Sequence, residues 1–133
     1  IKDSSGDLDN MITMCARFHD LAVFSGADPL MLPVLQTGGA GCITAASNIG
    51  ASALRKIWDN WQDASKTDVV NAAQDEIKAW RALSTSYAQI PTTKAMIGRL
   101  RGDMTWINLR PPFVEISEAE RTDVFAKMAE LEK

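Results

Sequence analysis

The sequence predicts an α/β fold made of three consecutive β/α units followed by a helical tail. A strand end at residues 1–4 and short apolar segments at 21–24 and 41–46 alternate with stretches of helical periodicity. From residue 51 onward only helical periodicity remains. Apolar strands separated by helices imply a parallel sheet with crossover connections.

Residues 1–4 read as the end of a first strand. Leu8, Met11, Ile12, Cys15 and Phe18 then recur at three- and four-residue spacing, so a helix is expected over 7–18. Leu21-Ala22-Val23-Phe24 reads as a second strand, ended by Ser25-Gly26. Asp28-Pro29 has the form of a helix cap with proline at the first helical position. The helix carries Leu30, Met31, Val34 and Leu35 and stops at Gly38-Gly39. Residues 41–46 read as a third buried strand, and Ser47-Asn48 with Gly50 as the turn after it.

The tail begins with a helix over 51–62 through Leu54, Ile57, Trp58 and Trp61. A longer one is expected over 66–89, with Pro91 breaking the pattern. Thr92 to Arg101 reads as a short helix ended by Gly102, and residues 105–116, holding Arg110-Pro111-Pro112-Phe113, as an extended loop. Ser117-Glu118-Ala119-Glu120 is a capping box opening a last helix that runs to about Glu132. The expected organisation is therefore 1–62 for the three β/α units and 63–133 for the helical region. Three parallel strands alone leave two sheet edges open, so the reading expects a larger parent sheet.

Composition narrows the function classes. The 133 residues are 46% hydrophobic and 23% charged, the composition of a packed domain, with a net charge of −3 and no basic run. Nucleic acid is thus not expected as a partner, because phosphate neutralisation needs clustered Lys and Arg. No apolar stretch approaches the roughly 20 residues that cross a bilayer. Asp3 and Asp7 interrupt any apolar opening segment, so no signal peptide is read there. Cys15 and Cys42 are not in metal or redox spacing and read as buried free thiols. The expectation is a cytoplasmic protein without a membrane partner. His19 is the single histidine, and no metal site is expected.

Three separated motifs occur in order: Ile1-Lys2-Asp3-Ser4, Phe24-Ser25-Gly26-Ala27-Asp28 and Gly38-Gly39-Ala40-Gly41-Cys42-Ile43-Thr44-Ala45-Ala46-Ser47-Asn48. Together with Ile90-Pro91, Lys94 and Arg110-Pro111-Pro112, they make the chain resemble the dihydrodipicolinate synthase / N-acetylneuraminate lyase family of class I, pyruvate-dependent aldolases. The resemblance covers essentially the whole chain. It implies strands six to eight of a (β/α)8 barrel plus C-terminal helices, usually in a homotetramer. A complete barrel takes about 250 residues.

The resemblance also implies the site. Lys2 is the imine-forming nucleophile toward pyruvate or another 2-keto acid, without a separate cofactor, and an aldehyde is the second substrate. The backbone carbonyl of Ile43 faces the imine region. Gly26 and Asp28 line the pocket for the second substrate's tail, Asp28 being equally suited to capping a helix. Ser4 is either a substrate-tail contact or a turn hydroxyl. The family's proton-relaying tyrosine and its carboxylate-binding loop precede the lysine, and Tyr87 is no substitute for that tyrosine. Pro29 and Ala45 depart from the sialic acid lyases. Ala45-Ala46-Ser47-Asn48 is similar to the 2-keto-3-deoxy sugar acid aldolases. Aldol condensation or cleavage is the leading expectation. A sugar-acid aldolase or dehydratase and an inactive, assembly-only chain are the alternatives.

Overall fold

The computed structural model describes residues 1–132. The chain forms two compact units, Ile1–Lys78 and Ala79–Lys133. Among the described residues no helix is long and apolar enough to cross a membrane.

The first unit holds a three-stranded parallel sheet, β1 (Lys2–Asp3), β2 (Phe24–Ser25) and β3 (Gly41–Cys42), in the order β1-β2-β3. Lys2 pairs with Phe24 and Phe24 with Gly41; Asp3 pairs with Ser25 and Ser25 with Cys42. The ladder extends past the short strands through Phe24 N–H to Ile1 O at 2.8 Å, Gly26 N–H to Asp3 O at 2.6 Å, Ala40 N–H to Val23 O at 2.8 Å and Ile43 N–H to Ser25 O at 2.9 Å.

Helix α1 (Leu8–Arg17) follows β1 and is capped by Asp7, whose carboxylate accepts from Asn10 N–H at 3.1 Å. Its Met11 is fully buried. A 3-10 turn at Asp28–Leu30 leads into α2 (Met31–Gln36), which buries Met31, Val34 and Leu35. Gly38, at φ +94°, ends that helix in a conformation only glycine adopts freely.

Four expectations shift here. The second strand lies at 24–25 rather than 21–24, because Leu21 is on the surface and the pairing begins only where the chain meets β1. The third strand ends at Cys42, not at residue 46. Ser47 and Asn48, expected as a turn, are instead the first residues of α3 (Ser47–Asn60). Gly50 interrupts α3 with φ −108° and ψ 26°, the breaker signal that made the sequence read as a turn. Asp28 does not cap a helix: Ala27 occupies the cap position and no side chain caps the turn.

Helix α4 (Thr67–Ser84) is shorter than the expected 66–89. At its end the Ser84 and Thr85 hydroxyls both donate to Arg81 O at 2.9 Å, competing with helix propagation. Within the first unit it buries Val70, Ala73 and Ile77, and Gln74 Nε2 donates to Pro29 O at 2.6 Å.

In the second unit, α5 (Gln89–Arg101) packs on α6 (Glu118–Leu131) and on a 3-10 turn at Met104–Ile107. Pro91 sits inside the first turn of α5, where a missing N–H costs no helical bond. Gly102, at φ +65°, closes α5 as expected. Residues 108–116 form no regular element. The capping box at Ser117 forms as read: its hydroxyl accepts from Glu120 N–H while Glu120 accepts from Ser117 N–H.

Candidate active site

The carboxyl ends of the three strands converge at one end of the sheet. Strand periodicity places Lys2, Phe24 and Gly41 on one face and Asp3, Ser25 and Cys42 on the other. Ser4, Gly26 and Ile43 continue the first face just beyond the paired residues. Lys2 and Ser4 are exposed, Ile43 is half exposed and Gly26 partly covered.

The loop after β1 is tied down by Asp3. Its carboxylate accepts from Ser5 N–H and from Asn10 Nδ2, both at 2.8 Å. These bonds, the Ser5 backbone N–H first, hold its carboxyl below the ordinary carboxylate range. Ser5 Oγ then accepts from Asp7 N–H at 3.1 Å. The turn next to Lys2 is thus built by Asp3, a residue whose part the sequence reading missed. Its signal was the Asp-Ser-Ser-Gly-Asp composition, which names a turn but not the side chain that organises it.

Gly26 is where β1 and β2 come closest. A Cβ there would lie 2.5 Å from Ser4 Oγ and 2.6 Å from Asp3 O. The site therefore requires glycine at 26 to let the two strand ends meet. Ser25 is fully buried; its hydroxyl donates to Ala27 O at 2.8 Å and accepts from Ala27 N–H at 3.1 Å, fixing the bend after β2.

Asp28 is fully buried and its carboxylate accepts a hydrogen bond from the Thr44 hydroxyl. The ends of β2 and β3 are thereby linked through side chains. The sequence reading assigned no part to Thr44. Cys42 lies close by, and burial, followed by the Asp28 charge, pushes its thiol up to about 11, against an opposing hydrogen bond with Thr44. Asn48, in the first turn of α3, donates from Nδ2 to Ala45 O at 3.0 Å. Tyr87, in the second unit, donates to Asp123 at 3.1 Å. Among the described residues no cluster of three or more His, Cys, Asp or Glu could hold a metal ion.

The fold of the chain matches that of solved structures. The crystal structure of dihydrodipicolinate synthase DapA-2 from Bacillus anthracis superposes with a TM-score of 0.84 at 22% identity, over 97% of this chain and 44% of that one. A 2-keto-3-deoxygluconate aldolase of Sulfolobus superposes with a TM-score of 0.85 at 18% identity, over 98% of this chain and 44% of that one. Both share the fold. The family model described as the dihydrodipicolinate synthetase family matches residues 1–131, and the chain belongs to that family. The 4-hydroxy-tetrahydrodipicolinate synthase of Bacillus subtilis is 29% identical over 132 residues, covering 98% of this chain and 44% of its own length. That of Methanospirillum hungatei is 35% identical over 125 residues, covering 89% of this chain and 40% of its own. The chain spans less than half the length of these curated relatives.

Proposed function

We propose that the protein carrying this chain is a Schiff-base lyase or synthase that uses Lys2 to activate pyruvate or a related 2-keto acid. The three strands serve as the last three of a (β/α)8 barrel, whose active sites lie at the carboxyl ends of its strands. One observation supports this reading above the others. In a chain of this family, Lys2 lies in the short strand β1, on the face that Gly26 and Ile43 continue at the carboxyl ends of β2 and β3.

The chemistry follows from an amine nucleophile. Neutral Nζ of Lys2 adds to the ketone carbon of the 2-keto acid, one proton is taken up and water leaves, giving a protonated imine. The iminium withdraws electrons, so a proton is lost from the neighbouring carbon and an enamine forms. That carbon attacks the aldehyde carbon, the aldehyde oxygen takes up a proton, and hydrolysis returns the lysine amine. Run backwards, the same steps cleave the carbon–carbon bond. The Ile43 carbonyl borders the imine, while Ser4 and Gly26 border the second substrate's tail. Asp28, being buried, serves behind the pocket wall.

The test is borohydride reduction in the presence of pyruvate, on the protein expressed from its complete gene, followed by peptide mapping. A reduced adduct on the peptide containing Lys2, abolished by Lys2→Arg, is expected. An adduct only at another lysine, or none, overturns the proposal. Ala45-Ala46-Ser47-Asn48 favours a second reading, a 2-keto-3-deoxy sugar acid aldolase or dehydratase working through the same imine. Carbon–carbon cleavage of 2-keto-3-deoxy acids, measured beside water loss from them, separates these activities.

A further inference from the structure

We infer that Thr44 is a positioning residue for the reaction at Lys2, acting through a side-chain clasp with Asp28 that holds the ends of β2 and β3 together. The inference rests on the imine reading above and adds to it a residue with no direct contact to substrate.

The backbone ladder between β2 and β3 reaches its last described bond at Ile43 N–H to Ser25 O, 2.9 Å. Beyond it the two chains diverge, one into the 3-10 turn at Asp28–Leu30 and the other into α3. Gly26 and Ile43 are the residues at that point of divergence, and they are the two whose backbones border the proposed reaction. The Thr44 hydroxyl, one residue past Ile43, donates to Asp28, two residues past Gly26. This bond closes the gap where the ladder stops.

Both partners are fixed from behind. Asp28 is fully buried. The next residue, Pro29, receives Gln74 Nε2 at 2.6 Å, which ties the turn to α4. Thr44 O accepts from Ser47 Oγ at 2.5 Å at the start of α3. On the other side, Gly26 N–H reaches Asp3 O at 2.6 Å, and Gly26 lies so near Ser4 that a Cβ added to it would be 2.5 Å from Ser4 Oγ. Gly26 is therefore clamped to β1 by sterics and backbone bonding, and Ile43 is held in register with it by the clasp. A buried carboxylate also makes a strong acceptor for a hydroxyl, since charge-assisted bonds are the stronger class. Without that hydroxyl, Ile43 N–H would keep its bond to Ser25 O, but the Ile43 carbonyl would lose its fixed distance from Lys2.

The consequence is specific. Imine formation needs only Lys2 and the keto acid. Proton loss from the imine needs the surrounding carbonyls in place, and displacement of about 1 Å costs up to about a hundredfold. Three forms of the protein expressed from its complete gene distinguish these steps: wild type, Thr44→Val, which keeps the volume without the donor, and Thr44→Ser, which keeps the donor. Each is assayed with pyruvate alone, by borohydride trapping and by NMR of deuterium exchange into the pyruvate methyl group.

The expected result is trapping at Lys2 in all three forms. Exchange at saturating pyruvate falls about tenfold to a hundredfold in Thr44→Val, with KM for pyruvate little changed, and is restored in Thr44→Ser. Exchange in Thr44→Val within twofold of wild type overturns the inference, as does Thr44→Ser being as slow as Thr44→Val. Absence of a Lys2 adduct in wild type is a different failure, that of the imine reading itself. Should the valine chain not fold, Thr44→Cys, of similar size and a poor donor, is read against the same outcomes.

Discussion

A methyl group at position 26 would meet the Asp3 carbonyl and the Ser4 side chain at distances no real contact sustains, 2.6 and 2.5 Å. The Asp3 oxygen is backbone and already accepts from Gly26 N–H, so it cannot retreat without loosening β1 from β2. Gly26→Ala is expected to destabilise the protein by about 1–3 kcal/mol, the range for overpacking a closed site. Urea unfolding of the variant beside wild type checks it, and an unchanged midpoint would mean the strand ends separate freely. Residue identity here was legible in the sequence as a Ser-Gly pair ending a strand. The reason for the glycine was not, because the atoms it must avoid lie more than twenty positions earlier. Thr44 was invisible for a similar cause: its partner, Asp28, is sixteen residues away, and neither residue type announces the other.

Among the elements, α6 is the one whose start the sequence specified in full. A capping box is local chemistry, four consecutive residues bonding to one another, so no tertiary contact is needed to read it. Ser117→Ala removes the hydroxyl that accepts from Glu120 N–H and should cost about 1 kcal/mol. Thermal melts followed by circular dichroism measure this, and Ser117→Asp should retain most of the stability. The strands behaved differently. Apolar runs at 21–24 and 41–46 predicted longer strands than the two-residue pairings found, because pairing depends on where a neighbour lies. Residues 43–46 turn away from the sheet at Thr44, whose hydroxyl bonds Asp28 while its carbonyl accepts from Ser47. Pro91 shows the same lesson in a helix. Proline marks a boundary, but only the structure decides that it stands inside the first turn of α5 and not between two elements.

At the scale of the whole molecule, ionisation links the site to stability. Asp3, Asp63 and Asp103 are held below the ordinary carboxylate range by hydrogen bonds from residues two positions on, and Asp123 by Lys127 first. A carboxylate with a lowered folded value contributes stability that is present above its unfolded value and lost as pH falls through the folded one. Cys42 has the opposite sign. Its thiol is raised from 9.0 to about 11 in the folded chain, so the unfolded chain releases its proton first as pH rises. Stability should therefore fall below about pH 4 and fall again between about pH 9 and 11. Denaturant midpoints across pH test both limbs. Cys42→Ala should shallow the alkaline limb and leave the acid one in place. An alkaline limb of unchanged slope in that variant would show that Cys42 is not its source.

The sequence by itself determined the family, the α/β order of three units and a tail, the start of α6 written in local capping chemistry, and the candidate residues Lys2, Ser4, Gly26, Asp28 and Ile43. These are properties of short stretches or of ordered motifs, and neighbouring residues carry them. Tertiary structure decided where the strands end, that Asp28 is buried against Thr44 instead of capping a helix, that Asp3 builds the turn beside Lys2, and that Gly26 is the point of closest approach. Each of these depends on residues distant in the chain meeting across a parallel sheet. A hydrogen bond or a steric limit between strands exists only once the crossover helices have brought the strands side by side.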